Sequence, residues 1–99
     1  MEEELERFKI GEVGVDSGQL IVMDPCYLQG WNHGDFTDDA TNDYANACKV
    51  TLKKPNHAGM TFGDLAAVFS SGYGDGTYEV IGYKNSDGRI VKVEILMGE

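Results

Sequence analysis

Ninety-nine residues with 41% apolar content suffice for one small domain with a modest core. Acidic residues outnumber basic ones 17 to 8, a net charge of −9, which argues against a nucleic acid or an anionic membrane as direct partner, because both call for a basic face. Thirteen glycines and five tyrosines favour strands and turns over long helices.

Glu2, Glu3, Glu4 and Glu6 open the chain, followed by Arg7 and Lys9, so residues 1–6 read as the frayed acidic tail of a single domain spanning 1–99. An acidic start is unlike a secretory signal, and no apolar run approaches the length of a membrane-spanning helix. Both features point to the cytoplasm, where Cys26 and Cys48 are expected as free thiols. Phe8 and Ile10 share one period-2 phase and Val13 and Val15 the other, which predicts a strand with a bulge near Gly11-Glu12.

The stretch Val13–Leu28, VGVDSGQLIVMDPCYL, organises the rest. Asp16-Ser17-Gly18 predicts a tight turn, with Gly supplying a positive φ. Leu20–Met23 is an uninterrupted apolar run and reads as a central strand buried on both faces. Asp24 is in phase with Leu20 and Val22, and Pro25 ends the ladder because it has no N–H to donate. A carboxylate so placed serves most simply as an acceptor for backbone N–H groups, either of the Cys26-Tyr27 turn or of the Gly72–Gly76 loop. Its functional reading is that Asp16, Asp24 and Asp75 line one sheet edge and grip a cation or a partner's Arg or Lys.

Residues 29–43 form the longest irregular stretch. They carry Trp31, Phe36 and the aspartates Asp35, Asp38, Asp39 and Asp43, with no Lys or Arg. A polar loop of that length in a small domain is usually functional or mobile. Tyr44–Lys53 alternates, with Tyr44, Cys48, Val50 and Leu52 on one side and Lys49, Thr51 and Lys53 on the other, and predicts a half-buried strand broken by Lys54-Pro55-Asn56. Phe62–Ser71 suits either a short helix capped by Asp64 or a strand; the turn-like SSGYGDG that follows favours the strand. Thr77–Lys84 is a clear β-former, Asn85-Ser86-Asp87-Gly88 a hairpin loop, and Arg89–Met97 the closing strand, with Val91, Val93, Ile95 and Met97 inward and Lys92 and Glu94 outward. The expected fold is mainly β: a small single-domain roll or sandwich of five to six strands, ending in an antiparallel meander of the last three.

Two blocks, V-D-S-G-Q-L-I-V-x-D-P-C-Y and S-G-Y-G-D-G-x-Y-x-V with G-R-I-V-x-V-x-I, resemble a family of small bacterial and phage proteins of unknown function. The resemblance covers under half of the chain and implies no activity, only that Asp16, Asp24 and the Gly72–Gly76 loop belong to one constellation.

Several chemistries compete. Cys26, His33, Cys48 and His57 are a zinc-type donor set, but no pair is separated by two to four residues, so no zinc is expected. Asp35, Thr37, Asp39, Thr41 and Asp43 place oxygens at alternate positions as a calcium loop does, yet Ala40 stands where the sharp turn needs glycine and Asn46 where the bidentate glutamate belongs. Cys26 with His33 or His57 would make a cysteine hydrolase, and nothing else selects it. Ser70–Gly76 lacks the helix and the lysine of a phosphate cradle, though Tyr73 and Tyr78, with Trp31, could line a small-ligand or nucleotide pocket. The leading expectation is a non-catalytic, cofactor-free acidic binding protein, in a phage setting an inhibitor of a host nucleic-acid-binding protein. Its partner is a basic protein surface met by Asp16, Asp24, Trp31, Asp35, Asp38, Asp39, Tyr73 and Asp75, and self-association is left open.

Overall fold

The computed structural model describes residues 4–33 and 42–98. Six strands, β1 Glu6–Val15, β2 Gln19–Val22, β3 Ala58–Thr61, β4 Ala66–Ser70, β5 Gly76–Lys84 and β6 Ile90–Leu96, accompany one α-helix, α1 Asp43–Lys53. Two short 3-10 turns, Pro25–Gly30 and Pro55–His57, complete the elements among the described residues. The strands form two three-stranded antiparallel sheets, ordered β1-β5-β6 and β2-β4-β3, neither closed into a barrel, so the class is mainly β as expected. Two compact units carry them: Met1–Ser17 with Gly72–Glu99, and Gly18–Ser71.

In the first unit β5 is central. Its ladder with β1 skips a residue between Lys9 and Gly11, so the bulge falls at Ile10, beside the expected place. One sheet face carries a lattice of charge. Lys9 pairs with Glu79 at 3.3 Å and Glu12 at 3.5 Å, Lys92 with Glu94 at 3.4 Å, and the Tyr83 hydroxyl donates to Glu94 at 2.6 Å. Ile81 stands in register between Lys9 and Glu94 and is buried. The opposite face is apolar: Phe8, Ile10 and Val93 surround Gly82, where a Cβ would lie 2.7 Å from the Phe8 ring. The β5–β6 hairpin closes as the sequence predicts, with Asn85 Oδ1 accepting from the N–H groups of Asp87 and Arg89, both at 3.0 Å, and Gly88 at φ 76°. Val91 and Val93 alternate with Lys92 and Glu94 as expected, but they are exposed rather than inward, at 53% and 52%.

In the second unit β4 is central and α1 packs on β3 and β4. Ala47, Val50 and Val68 form its core, with Ile21 and Trp31 against them. Gly59 lets the helix approach, since a Cβ there would stand 3.0 Å from Val50.

The structure corrects four expectations. Residues Tyr44–Lys53 lie in a helix, not a strand. Asn42 caps it, accepting from the Ala45 N–H at 3.0 Å, and the buried residues are Ala47, Val50 and Thr51, an i, i+3, i+4 spacing. Period-2 reading places Leu52 inward and Thr51 outward, whereas Leu52 is 75% exposed and Thr51 buried. Next, β2 is an edge strand paired, among the described residues, only with β4, and Val22 is exposed, so Leu20–Met23 is not a central strand buried on both faces. Strand β3, Ala58–Thr61, went unread because its AGMT sequence has little β character. Finally, β4 pairs with β2 and β3, so the third strand beside the β5–β6 hairpin is β1. The strand choice for Phe62–Ser71 is met by β4, after a turn in which Phe62, Gly63 and Asp64 all take positive φ.

Candidate functional site

The neck of the acidic loop is built from both of its flanks. After β2, the Asp24 carboxylate accepts the Cys26 N–H at 2.9 Å and opens the Pro25–Gly30 turn, as the sequence suggested. That hydrogen bond holds the Asp24 carboxyl below the usual carboxylate range. The turn delivers Tyr27 and Trp31 to Phe62, with ring centroids 6.3 Å and 5.6 Å from it. Beyond Trp31 the two flanks meet. The Asn32 N–H donates to the Asp43 carboxylate at 2.7 Å, and the Asp43 N–H donates back to the Asn32 carbonyl at 2.7 Å. The His33 ring lies 4.6 Å from that of Tyr44. Asn42, 1% exposed, caps α1 with Oδ1, and among the described residues its Nδ2 has no hydrogen-bond partner. Asp43 also sits in the first turn of α1, where the helix dipole favours its charge.

Asn32 and Asp43 are therefore fixed side by side at the neck. Asp35, Asp38 and Asp39, and with them the alternating calcium-like oxygens from Asp35 to Thr41, lie outside the described residues.

The other expected site residues fall elsewhere. Asp16 and Asp75 follow and precede the Val15–Gly76 pair, so the register carries both to one end of the β1–β5 ladder, while Asp24 belongs to the Gly18–Ser71 unit. Tyr73 is 78% exposed, with its ring against Gly98. Tyr78 donates its hydroxyl to the Gly74 carbonyl at 2.7 Å and so braces the Gly72–Gly76 turn.

Cysteine and histidine are engaged locally. The exposed Cys26 thiol is pushed up by the Asp24 carboxylate beside it, the opposite of what an activated nucleophile needs. Cys48 Sγ lies 3.3 Å from Gln19 Nε2, and the Thr51 hydroxyl donates to Gln19 Oε1 at 2.9 Å. His57 Nδ1 lies 3.0 Å from the Thr51 carbonyl. Among the described residues, no three His, Cys, Asp or Glu side chains assemble into a metal-binding group.

Sequence reading missed Asn42, Asp43, Tyr44 and Phe62 as builders of the neck. The signal for the first two was present: Asn-Asp ahead of an alanine-containing run is an N-cap followed by a first-turn acid. Phe62 gave none, because its position depends on a positive φ, which is rare outside glycine. No protein-family model matches this chain, and no curated protein or solved structure matches it either.

Proposed function

We propose that this chain is a non-catalytic binding protein that presents its acidic loop, residues 31–43, to a basic surface on a protein partner. The observation that carries the reading is the distribution of charge. From Ile10 to Cys48 the chain holds Glu12, Asp16, Asp24, Asp35, Asp38, Asp39 and Asp43 and no Lys or Arg. The pinned neck supports it, because a loop closed at its ends loses less entropy on binding than one attached to loose flanks. Charge of one sign on such a loop steers association with a cationic partner. A host protein that binds nucleic acid through a basic face is the partner class this charge suits, in keeping with a phage-type inhibitor in the cytoplasm. Among the described residues, no helix is long and apolar enough to cross a membrane.

A lysine-rich peptide is the direct probe, with Trp31 at the neck as fluorescent reporter. The expected result is a saturable change in Trp31 emission that weakens steeply with added salt. Asp38→Lys with Asp39→Lys should slow association most at low salt and leave the melting temperature nearly unchanged. Unchanged association kinetics in the double variant would remove the loop from the interface.

A further inference from the structure

The sequence of β6, Ile90-Val91-Lys92-Val93-Glu94-Ile95-Leu96, is complementary to itself read backwards. This strand is also a free edge. In the sheet β1-β5-β6 it pairs with β5 on one side, and among the described residues nothing pairs with the other. Ile90, Val91, Val93 and Leu96 are 55%, 53%, 52% and 39% exposed, an unusual amount of apolar surface for an unprotected edge. Edge strands are commonly blunted by a lone charge at mid-strand, which any incoming strand must bury unpaired. Lys92 alone would do this; Lys92 with Glu94 two residues on does not, because an antiparallel copy supplies the matching charge.

We propose that β6 pairs with β6 of a second copy of this chain, antiparallel about a two-fold axis at Val93, joining two three-stranded sheets into one of six strands. Residues directly opposed in an antiparallel pair stand on the same face. A two-fold axis perpendicular to the sheet also keeps each residue on its face, so it must pass through a residue facing its own copy. Centred on Val93, the pairing sets Lys92 against Glu94 twice, while Ile90 and Val91 lie where the ladder with β5 shifts register between Lys92 and Ile90. Moving the centre one residue either way sets Lys92 against Lys92, or Glu94 against Glu94, and like charges directly opposed are destabilising. Of these three registers, charge selects the one centred on Val93. The apolar faces carrying Phe8, Ile10 and Val93 become continuous across the joint. The interface is one strand wide, so the dimer is a concentration-dependent one.

Sedimentation equilibrium of the full chain tests this. Wild type should move from 10.8 kDa towards twice that mass as concentration rises. Lys92→Glu alone and Glu94→Lys alone each place like charges opposite one another, and each should stay monomeric. Mixed in equal amounts, the two variants are complementary and should recover the doubled mass. Circular dichroism establishes that both variants fold. Should either fail to fold, Val93→Cys in a Cys26→Ser background decides instead. Residues opposed in an antiparallel pair lie within disulfide reach, so oxidation should link Cys at 93 to its copy, whereas Val91→Cys should not link. Wild type that stays monomeric up to about 1 mM would overturn the proposal. So would single variants that still dimerise, a mixture that stays monomeric, or a Val93→Cys chain that does not cross-link.

Discussion

The two sheets of this chain are held by different means. The β2-β4-β3 sheet has strands of 4, 5 and 4 residues, too short to be stable as a ladder alone. It gains its stability from α1, which buries Ala47 and Val50 against Val68. The β1-β5-β6 sheet has strands of 10, 9 and 7 residues and, among the described residues, no helix of its own unit. It relies on its ladder, with Val15 and Ile81 its buried apolar side chains among the described residues, and the ion pairs of Lys9, Glu79, Lys92 and Glu94 lie half-exposed on its surface. Short strands with a helix concentrate stability in a few side chains; long strands spread it along the backbone and leave a surface open to partners.

Substitutions should separate the two regimes. The largest effect is expected at Val68, 1% exposed at the centre of the helix-backed core: Val68→Ala should cost about 2–4 kcal/mol in denaturant unfolding, through lost burial and the cavity left behind. Asn42→Ala removes the α1 cap and should cost about 1 kcal/mol, read in the same way. Asp24 follows. Its carboxyl is held low by the Cys26 N–H, so the stability it contributes is present above the unfolded value near 3.8 and is lost as pH falls through the folded one. Melting temperature should therefore hold at pH 5 and drop below about pH 4, with a smaller drop in Asp24→Ala. Asp24→Asn keeps an acceptor oxygen and should melt closer to wild type than Asp24→Ala at neutral pH. The smallest effect is expected on the long-strand sheet: Lys9→Met removes two exposed ion pairs and should leave the melting temperature within error. A loss at Lys9 comparable to that at Val68 would erase the distinction between the sheets.

Much of the long-strand sheet was legible in the sequence. The phase switch, the Asn85–Gly88 loop and the alternation of β6 are local signals; the loop and the alternation appear where they were read, and the bulge falls at Ile10, beside the expected Gly11-Glu12. What the alternation could not say is whether the apolar side is covered, since that depends on other elements; Val91 and Val93 prove exposed. The short-strand sheet was legible mainly at Asp24 and at β4. The Tyr44–Lys53 helix was mistaken for a strand because its apolar positions satisfy two periods at once, and only the Asn42 cap and the buried Thr51 distinguish them. The neck of the acidic loop depends on Asn32 and Asp43 meeting across eleven positions, a pairing that no local pattern encodes.

Hydrogen–deuterium exchange of the full chain, with and without a lysine-rich peptide at low salt, tests the acidic-loop reading most directly. The account predicts added protection confined to residues 31–45, the neck and the first turn of α1, and its loss when Asp38 and Asp39 are both replaced by lysine. Protection appearing instead at Glu4–Lys9 or at the Asp16 and Asp75 end of the β1–β5 ladder, with none at 31–45, would contradict it.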